Sequence, residues 1–242
     1  MIRKIIARRI RKMKRRICLS LDSRRYPLTE YGDGCGYWVY DKVLASKKDQ
    51  IVYSFGIGSD LSFSEALLNR FGDDGMQVYA FDPTPKSIAY VKNHALSGNA
   101  HFHFYPFGLS DQDETVQFFL PEDEVGISGS SDFRKGLKKV SIDVQMRRLN
   151  TLLDMNGHSH IDLMKMDIEG SEFKVVADLR NCKATIDQIC IEVHDRFYPD
   201  GIERLKGLLS TLKGMGFLLV AVSGSKLELT FVHRDQNPGS GN

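Results

Sequence analysis

The sequence predicts an α/β protein: a Rossmann-like open sheet, mostly parallel, with helices on both faces and an antiparallel C-terminal hairpin. Three observations predict it. Short apolar runs recur along the chain, each closed by a glycine or an acid and most followed by helical spacing, as in buried parallel strands with crossover helices. The run at residues 51–55 leads into Gly56-Ile-Gly-Ser-Asp60 and then a helix pattern, the strand–glycine turn–helix at which such sheets bind nucleotide-like ligands. Two apolar runs at 216–222 and 227–233, separated by Ser223-Gly-Ser-Lys226, carry a hairpin signal.

The chain has 242 residues, 42% hydrophobic and 26% charged, enough for one sizeable core. No stretch reaches 18 apolar residues, so no membrane-spanning helix is expected, and no apolar core of a secretory signal opens the chain. Cys18, Cys35, Cys182 and Cys190 lack paired metal spacing and read as reduced thiols in a cytoplasmic protein.

Residues 1–17 hold nine Lys or Arg and no acid. Without them 24 basic residues face 31 acids, a net of −7, so the basic character belongs to an arm rather than to the body. Its isoleucines fall near helical spacing. The expected units are therefore a basic amphipathic arm over 1–29 and one folded domain over 30–242. The arm suits an anionic membrane surface, or packing on its own domain; without interleaved aromatic residues, nucleic acid is the weaker partner. The glycine-dense segment 31–38 reads either as a lip over a ligand or as a hairpin turn.

In the first βα unit, Phe63, Leu67, Leu68 and Phe71 share one helix face. Gly56 and Gly58 let the backbone approach a ligand without a Cβ in the way. The second strand, from residue 77, ends in Asp82, 26 residues beyond Gly56, placed to accept the hydroxyl hydrogens of an adenosine ribose. A helix over 87–95 and a third strand over 99–110 follow. His101 and His103 share a face of that strand, as sheet histidines or a metal pair, and Gly108 with its apolar neighbours suits an adenine face. An added strand at 116–120 precedes a polar loop at 122–139 that reads as a substrate lid, and residues 140–149 return the chain to the sheet.

The second dense stretch is Ile161-Asp-Leu-Met-Lys-Met-Asp-Ile-Glu-Gly170, a strand ending in Asp167 and Glu169, followed by a helix over 171–179. The next strand ends in Glu192 and His194 on one face. A packing helix over 201–215 completes the body.

The residues narrow the ligand. Leu61 stands where a dinucleotide fingerprint has its third glycine, and Ser59-Asp60 replaces the Lys-Ser or Lys-Thr of a phosphate loop. Asp60 at the helix mouth repels a pyrophosphate and suits a cationic ligand. S-adenosylmethionine, with a sulfonium, an ammonium and no phosphate, fits this charge pattern. Gly56, Gly58, Asp60, Asp82, Gly108 and Asp167 are its candidate contacts.

Ser-Phe-Gly-Ile-Gly-Ser-Asp60, Ala-Phe-Asp-Pro-Thr84, Phe-Gly-Leu-Ser-Asp111, Lys-Met-Asp-Ile-Glu-Gly-Ser-Glu172 and Ile-Glu-Val-His194, in that order, resemble the FkbM-type S-adenosylmethionine-dependent methyltransferases over residues 30–233. The resemblance implies O-methylation of a hydroxyl on a sugar or natural-product acceptor. One position departs from it: Ser54 stands where many methyltransferases carry an acid, so Asp60 or Asp167 would meet the methionine end. A hydroxyl needs a base or a metal to become a nucleophile. Asp167, Glu192 and His194 are the candidate centre, with His194 as base or all three around Mg²⁺ or Mn²⁺. The competing reading is a membrane or nucleic-acid adaptor with a degenerate pocket, supported by the arm alone.

Overall fold

The structure, a computed structural model, describes Arg15 and residues 18–22, 26–33, 37–121 and 137–236, with side chains for all of these except 119–121 and 137–141. Its centre is a seven-stranded sheet in the order β11-β12-β10-β9-β3-β4-β5. Strands β3 (Ile51–Phe55), β4 (Gln77–Phe81), β5 (Phe102–Tyr105), β9 (His160–Met166) and β10 (Thr185–Glu192) run parallel. Strand β12 (Glu228–His233) lies antiparallel between β10 and the edge strand β11 (Phe217–Val222). The expected C-terminal hairpin is therefore present, with its second strand inserted inside the sheet.

Side-chain alternation along the strands divides the core into two layers. Val52, Val78 and Leu163 face helices α1 (Asp41–Ala45), α2 (Ser62–Phe71) and α3 (Pro85–Lys92). Tyr53, Phe55, Met164, Met166 and Ile189 face α4 (Leu149–Asn156), α5 (Glu172–Asp178) and α6 (Gly201–Gly214). The helix at 62–71 has the bounds its apolar spacing predicts. Helix α3 starts earlier than expected because Thr84 caps it, its Oγ1 accepting the Ser87 N–H, with Pro85 in the first turn.

Several expectations are corrected. The single third strand over 99–110 is two: Pro106 has no N–H to give a ladder, Phe107 N–H bonds the Tyr105 carbonyl, and the chain leaves the main sheet. The short β6 (Gly108–Leu109) then joins a separate sheet with β7 (Glu114–Pro121) and β8 (Leu137–Arg147). Residues 140–147 thus pair in this small sheet and do not return to the large one, and Leu149 already opens α4. Helices α1 and α4 have no counterpart in the sequence reading. The lid segment lies outside the described residues over 122–136, and its last three residues open β8.

Strands β1 (Thr29–Tyr31) and β2 (Tyr37–Val39) pair antiparallel around the glycine-dense segment, so the hairpin reading holds. Most of the basic arm lies outside the described residues. The parts described touch the body: Arg15 is buried in an ion pair with Asp195 and donates from Nε to the Lys226 carbonyl at 3.0 Å, and Asp22 N–H bonds Leu219 O. Cys18, Cys182 and Cys190 are free thiols, while Cys35 lies outside the description. Among the described residues no helix is long and apolar enough to cross a membrane.

A charged cluster closes the end of the sheet opposite the strand C-termini. Lys47 Nζ donates to Asp162 at 2.8 Å and to Asp187, and His160 Nε2 lies 3.2 Å from each of these acids. Their hydrogen bonds outweigh burial and push His160 up to about 9. A raised imidazole pKa stabilises the fold below the unfolded value of about 6.5 and loses that contribution as pH rises through about 9. The melting temperature is expected to fall between those pH values, and the fall should be smaller in His160→Asn. Equal slopes for the two proteins would remove His160 from the account.

Candidate active site

In the order β10-β9-β3-β4-β5, the chain winds away from β3 in both directions, so the switch point lies between β3 and β9. Ligands of open α/β sheets bind in the crevice outside the strand C-termini at that place. A cavity of about 430 Å³ lies there, within the range of small-molecule sites. Gly56, Gly58, Asp60, Asp82, Gly108 and Asp167, the six residues expected to contact a cofactor, all line it. Tyr31 and Asp33 of the β1–β2 hairpin line it too, so that hairpin is also a lip.

The glycine turn has two roles. Gly56 and Gly58 have positive φ, 72° and 56°. At Gly56 an added Cβ would overlap the Asp167 carbonyl oxygen, so this glycine serves strand packing first and ligand access second. Asp82 is buried, and its carboxylate ties the turn to the next helix. Oδ2 accepts Gly58 N–H at 2.9 Å, and Oδ1 accepts Thr84 N–H at 2.9 Å and Oγ1–H at 2.6 Å. Each carboxylate oxygen has two lone-pair sites, so Oδ2 keeps one for a ligand hydroxyl. Asp60 Oδ1 accepts the Ser62 N–H at 2.8 Å, which plugs the start of α2 with an acid and denies it to a phosphate. At Gly108 a Cβ would overlap Met146 Sδ and approach Pro83, so a larger residue there must push the Met146 side chain aside.

Asp167 and Glu192 line the cavity, and His194 does not. Strand β10 ends at Glu192. At His194 the backbone (φ −100°, ψ 37°) turns into a 3₁₀ segment, Asp195–Phe197, and the ring tucks behind the acids, 1% exposed. Its Nδ1 lies 2.8 Å from Glu172 Oε1. Its Nε2 lies 3.4 Å from Glu192, 3.6 Å from Glu169 and 3.8 Å from Asp167. Burial opposes the charge, but the Glu172 hydrogen bond, with Glu169 and Asp167 beyond, outweighs it and raises the pKa. The structure therefore places His194 behind the acids and outside the cavity wall, where it was expected to serve as a base facing the acceptor. The ligand atoms of Asp167, Glu192 and His194 lie within 4.8 Å of one another. His101 and His103 form no such group. Gln77 bridges them, with Nε2 2.7 Å from His101 Nδ1 and Oε1 2.9 Å from His103 Nε2.

Asp167 behaves differently. Burial pushes its carboxyl up to about 6; Lys165 and His194 oppose the rise, and Glu192 and Glu169 add to it.

Sequence reasoning missed Lys165, Glu172 and Tyr37. Lys165 Nζ donates to Gly56 O at 2.7 Å and lies 3.9 Å from Asp167. Fully buried Glu172 accepts the Ile168 and Gly170 N–H groups at 3.3 and 3.1 Å, bracing a turn in which Glu169 and Gly170 have positive φ. Burial, with Asp167 and Glu192 opposite, raises the Tyr37 phenol well above its ordinary value and keeps it neutral. The available signal for Lys165 was period two: it shares a strand face with Asp167.

Residues 50–219 match the Methyltransferase FkbM domain family. The chain belongs to the FkbM methyltransferase family. It is 24% identical over 208 residues to 31-O-demethyl-FK506 methyltransferase FkbM of Streptomyces tacrolimicus, covering 74% of this chain and 78% of that one. It is 26% identical over 145 residues to "Probable methyltransferase-like protein 24" of Homo sapiens, 59% of this chain but only 32% of that protein, so it spans about a third of that relative's length. Among solved structures, methyltransferase FkbM from Methylobacillus flagellatus KT superposes with a TM-score of 0.49 at 14% identity, over 77% of this chain and 44% of that one.

In this FkbM domain, His194→Leu leaves Glu172 buried without its imidazole partner. Breaking a buried pair costs about 3–5 kcal/mol, and urea unfolding should show a loss of that size. A loss within the error of the wild-type measurement would show that the pair does not hold the acids in place.

Proposed function

We propose that this FkbM domain transfers a methyl group from S-adenosylmethionine to a hydroxyl oxygen of a sugar or natural-product acceptor. One observation carries the reading: a single cavity joins the glycine turn at the switch point to Asp167, a carboxyl pushed up to about 6. The cofactor fits the residues present. The cavity is acidic, the α2 N-terminus is closed to phosphate by Asp60, and Asp82 retains an acceptor site for a ribose hydroxyl. A relative named for a 31-O-demethyl substrate supports oxygen as the acceptor atom.

When bound, S-adenosylmethionine supplies an electrophilic methyl group and leaves as a neutral thioether. The chain supplies position and proton removal. Asp167 takes the acceptor O–H proton: at neutral pH it is mostly charged, and it is more basic than an ordinary carboxylate. Glu192 raises that basicity through space, and the buried His194 ring holds the acids in place from behind. Tyr37 and Phe63 add apolar wall, and the two rings pack edge to face at 5.6 Å.

Calorimetric titration is expected to show binding of S-adenosylhomocysteine and no binding of a nicotinamide dinucleotide; the reverse pattern removes the cofactor assignment. Asp167→Asn should lower methyl transfer to a hydroxylated acceptor by about 10²–10⁴-fold, the usual share of a general base, and retained turnover would take the role from it.

The pH dependence has a defined sign. Activity should rise as pH passes through about 6 and Asp167 loses its proton. Glu192→Gln removes a like charge, favours the charged form of Asp167 and moves that limb to lower pH. A limb that stays in place or moves up would separate Glu192 from the base.

A further inference from the structure

Among the described residues the cavity wall contains six carboxylates, Asp33, Asp60, Asp82, Asp167, Glu169 and Glu192, and two cations, Lys165 and Arg196. The two cations differ. The Arg196 side chain is 40% exposed, lies 3.4 Å from Glu192 and has its guanidinium over the Phe197 ring. It belongs to the mouth. The Lys165 side chain is 8% exposed and stands on β9 opposite Ser54 of β3, the strand pair that flanks the switch point.

Burying an ammonium requires close partners. Lys165 Nζ donates to Gly56 O at 2.7 Å and, at the limit of hydrogen bonding, to Phe55 O at 3.5 Å. An ammonium has three N–H donors, so these carbonyls leave one unassigned. The nearest carboxylate, Asp167, is 3.9 Å away and is shared with His194 Nε2 at 3.8 Å. The Tyr37 ring face lies 5.3 Å from Nζ and carries no full charge. The ammonium therefore sits at the cavity wall beside the glycine turn without a full anion of its own.

An amino-acid end is a zwitterion. Its ammonium suits the acids, and its carboxylate is repelled by all six of them. Resting on the reading of this cavity as an S-adenosylmethionine site, we infer that Lys165 binds the α-carboxylate of the cofactor's methionine end. The lysine then has two jobs: it holds the carbonyl of Gly56, and it supplies a buried positive charge in a wall whose described residues are mostly acidic. The acids select the sulfonium and ammonium, and Lys165 selects an amino-acid end over a plain adenosyl thioether.

The experiment is calorimetric titration of the full chain with two ligands, S-adenosylhomocysteine and its decarboxylated counterpart, which keeps the amine and lacks the carboxylate. The wild type is expected to prefer the first by about 10- to 100-fold, the worth of one charged hydrogen bond. In Lys165→Met that preference should vanish, through weaker binding of S-adenosylhomocysteine alone. Arg196→Met, altered at the exposed mouth, should keep it. Equal affinities in the wild type overturn the inference, as does equal weakening of both ligands in Lys165→Met, which would mark the lysine as a support of the turn only. Loss of the preference in Arg196→Met moves the subsite to the mouth and likewise overturns it; if Lys165→Met does not fold, the wild-type and Arg196→Met titrations still decide. A wild type that binds neither ligand defeats the cofactor reading itself, a result distinct from binding both alike.

Discussion

Gly56 ends β3 in a conformation with φ of 72°, against the backbone of Asp167 at the end of β9. No side chain fits between them. The ladder continues through this contact, with Asp167 N–H on Phe55 O at 3.1 Å and Gly56 N–H on Phe81 O at 3.0 Å. Three strand ends, β9, β3 and β4, are thereby drawn into one rim. The glycine turn, Asp82 and Asp167 then border a single cavity because their strands do. Any residue with a Cβ at position 56 must push β9 away and open the rim, which separates the ligand-facing turn from the carboxylate beside it.

Drawing acids together has an electrostatic cost that the fold offsets from behind. Four carboxylates, Asp167, Glu169, Glu172 and Glu192, surround His194 within 4 Å of a ring nitrogen. Glu172, fully buried, holds one nitrogen and braces the turn that carries Glu169. His194 thus stands behind a convergent site, outside the cavity wall. Its charge and that of Lys165 keep Asp167 from rising further than about 6. Too little positive charge would leave Asp167 protonated at neutral pH, and too much would return it to an ordinary, weakly basic carboxylate.

Much of this was legible along the sequence, because the signals are local. The run at 51–55, the two glycines and the amphipathic spacing of α2 identify the first βα unit within 21 residues, and the cavity contains all six expected cofactor contacts. What was not legible depends on distant partners. His194 alternates with Glu192 in an extended chain, but the strand stops and the ring turns inward, a choice made by Glu172, 22 residues away. Lys165 has its carbonyl partner 109 residues back. The division of the third strand could have been read from Pro106, which cannot donate to a ladder. Helix α4 is short, and its Leu149, Leu152 and Leu153 follow a strand without a turn signal between them.

The two ends of the central strands show how a structural charge cluster differs from a candidate site. At the N-terminal end, Asp162 and Asp187 with His160 resemble the group at the other end in composition, and both sets hold three ligating side chains close together. The chain fills the first from within: Lys47 reaches between the two acids, and the Ile51 N–H binds Asp162 at 2.8 Å. Nothing is left there for a ligand to neutralise. At the C-terminal end the chain also supplies cations, but His194 sits beneath the acids and Lys165 beside the turn, so the carboxylates still face the cavity. Composition alone cannot separate these clusters. Their difference lies in whether the compensating charge stands between the acids and solvent or behind them, and only the second arrangement leaves a field for a cationic ligand to enter.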